Sequence, residues 1–186
     1  ILKGIGDFDR ELAFEAMKVT SMFDRDGMGF HDKTGYMPAD KIQQSVAKAL
    51  EVAIDDWSVA AAAEKLGKTE DAAYFKKRSE NFRNYFDPET GFMRGKLRNG
   101  EWTTPFDPAI SKHEGSAYTE GNAWQYLWLV PQNVDGLIEL LGGKDPFADK
   151  LEQLFLVEQG VKGEEASSDI SGLIGAYAHG NEPGHH

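Results

Sequence analysis

Cysteine is absent from the 186 residues of this chain. That excludes disulfides, zinc–thiolate sites and a cysteine nucleophile. Positive charge is scarce: 20 Lys and Arg stand against 31 Asp and Glu, a formal net charge of −11. Nucleic-acid binding calls for a basic stripe, so that class is not expected. No apolar run reaches membrane-spanning length. No Gly-rich phosphate loop and no serine nucleophile elbow occurs. An initiator Met is lacking too, and Ile1-Leu2-Lys3-Gly4 does not read as a signal peptide. Residue 1 is therefore expected not to be the native start, with a leader or an upstream domain removed.

What is present suits a folded domain. Hydrophobic residues make up 40% of the chain and aromatic ones 11%, enough for a sizeable core. Helical spacing of Phe8, Leu12, Ala13, Ala16, Met17 and Val19 predicts a helix over 7–23, capped by Asp7. Residues 24–38 are polar and Gly-rich and read as a loop. A second helix is predicted to start at Pro38-Ala39-Asp40. Its apolar face is Val46, Ala49, Leu50, Ala53, Trp57, Ala60 and Ala61, and Gly67 ends it. A third spans 69–86 with Ala72, Phe75, Ser79, Phe82 and Tyr85 buried.

Asp87-Pro88-Glu89-Thr90-Gly91 reads as a turn. Asn99-Gly100, between Phe92-Met93-Arg94 and Trp102-Thr103, is a hairpin signal. Residues 105–119 look irregular. Helices are predicted over 122–130, 133–141 and 146–156, and a short one over 171–178. The class is mainly α, a helical bundle or toroid with one short β-hairpin.

Two constellations carry chemistry. In Tyr118-Thr119-Glu120-Gly121-Asn122-Ala123-Trp124-Gln125-Tyr126, a carboxyl lies among aromatic rings. Apolar surroundings disfavour a charged carboxylate and suit it to proton donation. Asn122, Trp124 and Gln125 are sugar-contacting types: amides for hydroxyls, a ring for an apolar sugar face. The plainer reading makes Glu120 a helix-terminal carboxylate and the rings core.

The second constellation is the tail His179-Gly180-Asn181-Glu182-Pro183-Gly184-His185-His186. Asn181 and Glu182 offer hard oxygen donors that suit calcium. His179, His185 and His186 suit zinc, without a standard zinc spacing. The His pair also reads as the start of an affinity tag. His31 and His113 fall in polar loops with no assigned role. Asp55-Asp56-Trp57 reads as a solvated acidic pair beside one buried ring.

Taken together, Glu120 to Tyr126, followed by Trp128, Val130-Pro131 and Gly136-Leu137-Ile138, resembles the signature of glycoside hydrolase family 92, the calcium-dependent exo-α-mannosidases. The tail resembles a second signature of that family. So do Tyr36 to Lys41, Asp55-Asp56-Trp57, Phe86-Asp87-Pro88 through Arg94, and Pro105-Phe106-Asp107-Pro108. The motifs run in order over nearly the whole chain.

The resemblance implies a β-sandwich followed by an (α/α)6 toroid, with residues 1–186 a central part of the toroid. The β-sandwich and the C-terminal end of the toroid are then missing. It implies Glu120 as general acid, and Asn122, Trp124 and Gln125 in the sugar-binding stretch. Asn181 and Glu182 become ligands of Ca2+, and an inverting mechanism follows. Glu164-Glu165 lies where α-1,2-specific members are similar in carrying His-Glu. Glu165 keeps the carboxylate and Glu164 replaces the His, so linkage preference stays open, α-1,2 included.

The family's base carboxylates lie downstream of the His pair, so the chain alone is expected to be inactive. A partial toroid is expected to expose an apolar face and self-associate. The partner is a mannose-containing glycan, and the parent is secreted or periplasmic. Two other readings stand beside this one. They are a non-catalytic glycan-binding or scaffolding helical domain, and a zinc hydrolase using the tail His.

Overall fold

A computed structural model describes residues 1–112, 115–158, 162–163 and 174–177. Helices dominate it, and a two-stranded antiparallel hairpin is the sheet among the described residues. The helices are α1 (Arg10–Met22), α2 (Met28–Thr34), α3 (Ser45–Lys65), α4 (Thr69–Ser79), α5 (Ala123–Tyr126), α6 (Val134–Leu140) and α7 (Lys144–Leu156). A 3-10 turn, Glu80–Tyr85, continues α4. No helix among the described residues is long and apolar enough to cross a membrane.

The long helix α3 organises the fold. Ala60 and Ala63 of α3 are buried in one cluster with Ala72 and Phe75 of α4, while Ala49 and Ala53 join the cluster of Phe82 and Tyr85. Gly67, at φ 73°, takes the left-handed conformation that ends α3. The stripe Ala72, Phe75, Ser79, Phe82 and Tyr85 is buried as expected. The helical period breaks after Ser79 because the chain tightens into the 3-10 turn.

Several expectations are corrected. The first cap is Asp9, whose Oδ1 accepts the Leu12 N–H, not Asp7. Residues 24–38 are not all loop: α2 forms between two left-handed glycines, Gly27 and Gly35. α3 starts at Ser45, not Pro38, because its first N–H groups find partners outside the helix. Val46 and Ala47 both donate to the Ala117 carbonyl, at 2.9 and 3.2 Å. On α3, Trp57 is 44% exposed while Asp56 is fully buried, the reverse of the expected pair.

The paired strands β1 (Phe86–Asp87) and β2 (Phe92–Met93) close around the 87–91 turn. Asp87 fastens that turn: its carboxylate accepts the Glu89 N–H and the Thr90 hydroxyl, at 3.1 and 2.8 Å. At Asn99-Gly100 the pairing shrinks to a single Lys96–Trp102 bridge. Residues 174–177 form a turn bridged between Ile174 and Tyr177. It is anchored on α7 by the Ala176 N–H to the Leu154 carbonyl at 2.8 Å. The rest of the segment predicted as a short helix there lies outside the described residues.

Candidate active site

Glu120 is exposed, and its backbone is left-handed, with φ 47°. That conformation costs a non-glycine residue roughly 1–3 kcal/mol, so its surroundings must impose it. They do so from both sides. On the N-terminal side the Tyr126 hydroxyl donates to the Thr119 carbonyl at 2.6 Å. On the C-terminal side the Asn122 N–H donates to Gln125 Oε1 at 2.9 Å. The peptides flanking Glu120-Gly121 are thus pinned by side chains of α5.

Asn122, two residues beyond Glu120, is fully buried. Its Oδ1 accepts the Trp124 N–H and its Nδ2 donates to the Ala109 carbonyl, both at 3.1 Å. With Gln125 it makes a capping box that starts α5. Gln125 Nε2 donates to the Ala176 carbonyl at 3.1 Å. The Trp124 ring is buried edge-on against Phe92, with centroids 4.8 Å apart. The Lys150 ammonium caps both rings, 3.6 Å from the Phe92 centroid and 4.5 Å from that of Trp124. Burial there pulls Lys150 below its usual value.

Glu120 is exposed rather than enclosed by the rings: Tyr118 and Trp124 are buried and Tyr126 is half-buried. Tyr126 is the nearby phenol. Burial, and after it the Glu51 and Glu120 charges, push its pKa up to about 12 despite the bonds to Thr119. Tyr126 therefore stays a donor at neutral pH, as the bond to Thr119 requires.

Glu51 also lines a cavity of about 290 Å³ between α1, α2 and α3, together with Ser21, Arg25, Lys48, Asp55 and Asp56. Partial desolvation, then the adjacent Asp56, push Asp55 upward. Sequence reasoning did not single out Arg25, which lies between α1 and α2, nor Lys48 and Glu51, which lie about one turn apart on α3.

His31 is not a loop residue. It is buried in α2, with Nε2 3.5 Å from Asp56 Oδ2 and 3.3 Å from the Asn81 amide. Asp56 receives the Arg78 guanidinium on both oxygens, with Nε to Oδ2 at 2.7 Å. Among the described residues no group of three or more His, Asp or Glu comes together to hold a metal. Glu165, Asn181 and Glu182, with His113 and the tail His, lie outside the described residues.

Glu120 thus stands exposed on a locked turn within a helical scaffold. Comparison with known proteins gives the family. Residues 1–186 match the model of the glycosyl hydrolase family 92 catalytic domain, and the chain belongs to that family. An α-mannosidase of the family from Bacteroides thetaiotaomicron, solved with mannoimidazole, is 43% identical with a TM-score of 0.89. It covers 98% of this chain, which spans 24% of it. An inverting mannosidase of the family from the same species is 36% identical with a TM-score of 0.78, over 84% of this chain and 22% of its own. A protein of Arthroderma benhamiae, called an uncharacterized secreted glycosidase, is 27% identical over 82% of this chain and 24% of its own length. The chain thus spans about a quarter of the relatives it matches. The mainly helical class with one short hairpin is the fold observed.

Proposed function

We propose that residues 1–186 form one part of the (α/α)6 catalytic domain of a secreted, exo-acting, inverting α-mannosidase, with Glu120 as proton donor to the glycosidic oxygen. The carrying observation is the exposed Glu120 carboxyl on a left-handed backbone pinned between two held peptides. Family membership and the α-mannosidases among its relatives support the substrate class, a terminal α-mannoside of a glycan. Inversion needs a water and a base carboxylate on the opposite sugar face, roughly 6.5–9.5 Å from the acid. No residue of this chain is assigned that role. Asn122, Trp124 and Gln125 then serve the sugar site through the position they give Glu120. Glu165 is proposed to face the substrate, with linkage preference, α-1,2 included, set there.

Asn181 and Glu182 are proposed as ligands of a Ca2+ ion. Hard amide and carboxylate oxygens fit that ion better than zinc. When bound, the ion supplies a positive charge that orients sugar hydroxyls in the site. The proton delivered to the glycosidic oxygen comes from Glu120. The apolar side chains that α1 leaves exposed, Leu12, Val19 and Met22, support self-association of the chain on its own. Light scattering at high concentration tests that, and a strict monomer contradicts it.

Glu120→Gln in the full-length enzyme tests the reading. Loss of general acid catalysis lowers turnover of alkyl α-mannosides by about 10²–10⁴-fold. Turnover of a dinitrophenyl α-mannoside, whose leaving group needs no proton, falls far less. Equal losses on both substrates would refute the role. Calorimetry with calcium and with zinc on Glu182→Ala reads the metal directly. Unchanged calcium affinity would remove Glu182 from the ligand set.

A further inference from the structure

Gln125, like the buried Asn122, has both ends of its amide engaged with different parts of the chain, and one of its bonds reaches the 174–177 turn. Its Oε1 accepts the Asn122 N–H at 2.9 Å, and its Nε2 donates to the Ala176 carbonyl at 3.1 Å. The first bond fixes the peptide that follows Gly121. The second reaches the 174–177 turn, itself tied to α7 through Leu154 and by the stacked rings of Phe155 and Tyr177, 5.6 Å apart. Gly121 leaves room for this arrangement: a Cβ there would lie 2.8 Å from Gln125 Oε1 and 2.9 Å from the Tyr126 ring. A capping box alone explains one of the two bonds. The reach to Ala176 is additional, and the amide supplies it by carrying its acceptor and its donor on separate atoms.

We propose that Gln125 is a positioning residue: it clamps the loop that carries Glu120 to the 174–177 turn and so fixes where the Glu120 carboxyl stands over the glycosidic oxygen. The proposal rests on the proton-donor reading of Glu120. The left-handed backbone of Glu120 is the conformation that would relax once its C-terminal peptide was released. A displacement of about 1 Å at a reacting group is enough to cost roughly 10²-fold in rate. This role differs from a sugar contact, which would act on substrate affinity.

The test uses the full-length enzyme and two substrates, an alkyl α-mannoside and a dinitrophenyl α-mannoside. Gln125→Met keeps the length and helical preference of the side chain and removes both bonds. It is expected to raise the ratio of dinitrophenyl to alkyl turnover by about 10-fold or more, because protonation of the poor leaving group suffers first. Gln125→Glu keeps the capping bond, Glu being a usual partner in that motif. It loses the donor to Ala176 and is expected to fall between wild type and Gln125→Met. Thermal melts identify a variant that fails to fold, and the other then carries the test. A folded variant with an unchanged ratio, or with only a raised KM, overturns the proposal. The Glu120→Gln ratio, measured alongside, separates the two levels. If it too is unchanged, the proton-donor reading fails. If it rises while the Gln125 variants stay at wild type, only the clamp fails.

Discussion

Asp56 and Glu120 are both carboxylates on helical scaffolding, and the fold treats them in opposite ways. Asp56 is fully buried on α3, with Arg78 on both oxygens and His31 against it. Arg78 in turn donates to the Ser21 carbonyl at 2.7 Å and stacks over Phe75. Every strong bonding direction at Asp56 points to protein. Around Glu120 the protein bonds are made by its neighbours, Thr119 and Asn122, while the residue itself is exposed. The contrast separates a carboxylate used to join α1, α2, α3 and α4 from one that the fold leaves exposed. Buried charge holds the frame, and backbone restraint fixes the exposed turn.

The sharpest way to break that contrast is to remove Asp56. Asp56→Ala leaves the Arg78 guanidinium, nearly buried, without its counter-charge, at an expected cost of about 3–5 kcal/mol. Urea unfolding of this chain measures it. Combining Asp56→Leu with Arg78→Met should recover much of that loss, since apolar replacement of a buried pair is often neutral. If Asp56→Ala unfolds at the wild-type midpoint, Asp56 is not structural. Next in size is Gly121→Ala, at about 1–3 kcal/mol from crowding. The Gln125 amide would have to yield to the new methyl, which breaks its bond to Asn122. Stability and the leaving-group ratio should therefore shift together, and a shift in stability alone would mean that Glu120 tolerates movement of its loop.

Much of this was legible in the residues, and the failures have physical causes. The Phe75, Phe82 and Tyr85 stripe was readable because helical and 3-10 periods nearly coincide over two turns. The start of α3 was not. The N–H groups of Val46 and Ala47 are satisfied by the Ala117 carbonyl, and that of the preceding Gln44 by Ser116, some seventy positions away along the chain. Periodicity carries no trace of such a partner. Asp56 reads as solvated because it adjoins Asp55 and looks like half of a surface acidic pair until its Arg is found. Ala53 and Ala60 share its face, and Arg78 follows Phe75 by one turn of α4, so the pairing was inferable from two helices together but not from one. At the site, the residue types around Glu120 were recognisable from the motif. Their division of labour was not: the amides of Asn122 and Gln125 read as sugar contacts by type, yet each is engaged with protein groups.

A third carboxylate lies between the two extremes and gives the smallest expected effect. Asp87 closes the β1–β2 turn. Burial alone would push it up, but the Arg94 guanidinium at 2.9 Å, the Thr90 hydroxyl and the Glu89 N–H outweigh burial and hold it below its ordinary value. The sign of the linkage follows. A carboxyl whose folded pKa is depressed contributes stability that is fully present above its unfolded value, near pH 4. That stability is lost as pH falls through the lower folded value. Urea midpoints measured from neutral pH downwards should therefore decline on the acid side of about pH 4. Asp87→Asn should be less stable at neutral pH and should flatten that decline, because Arg94 then pairs with no titrating charge. An acid limb equally steep in the variant would place the titration elsewhere. Such a result would move Asp87 from the Asp56 side of the contrast, where charge holds structure, toward groups whose bonds are kept by geometry alone.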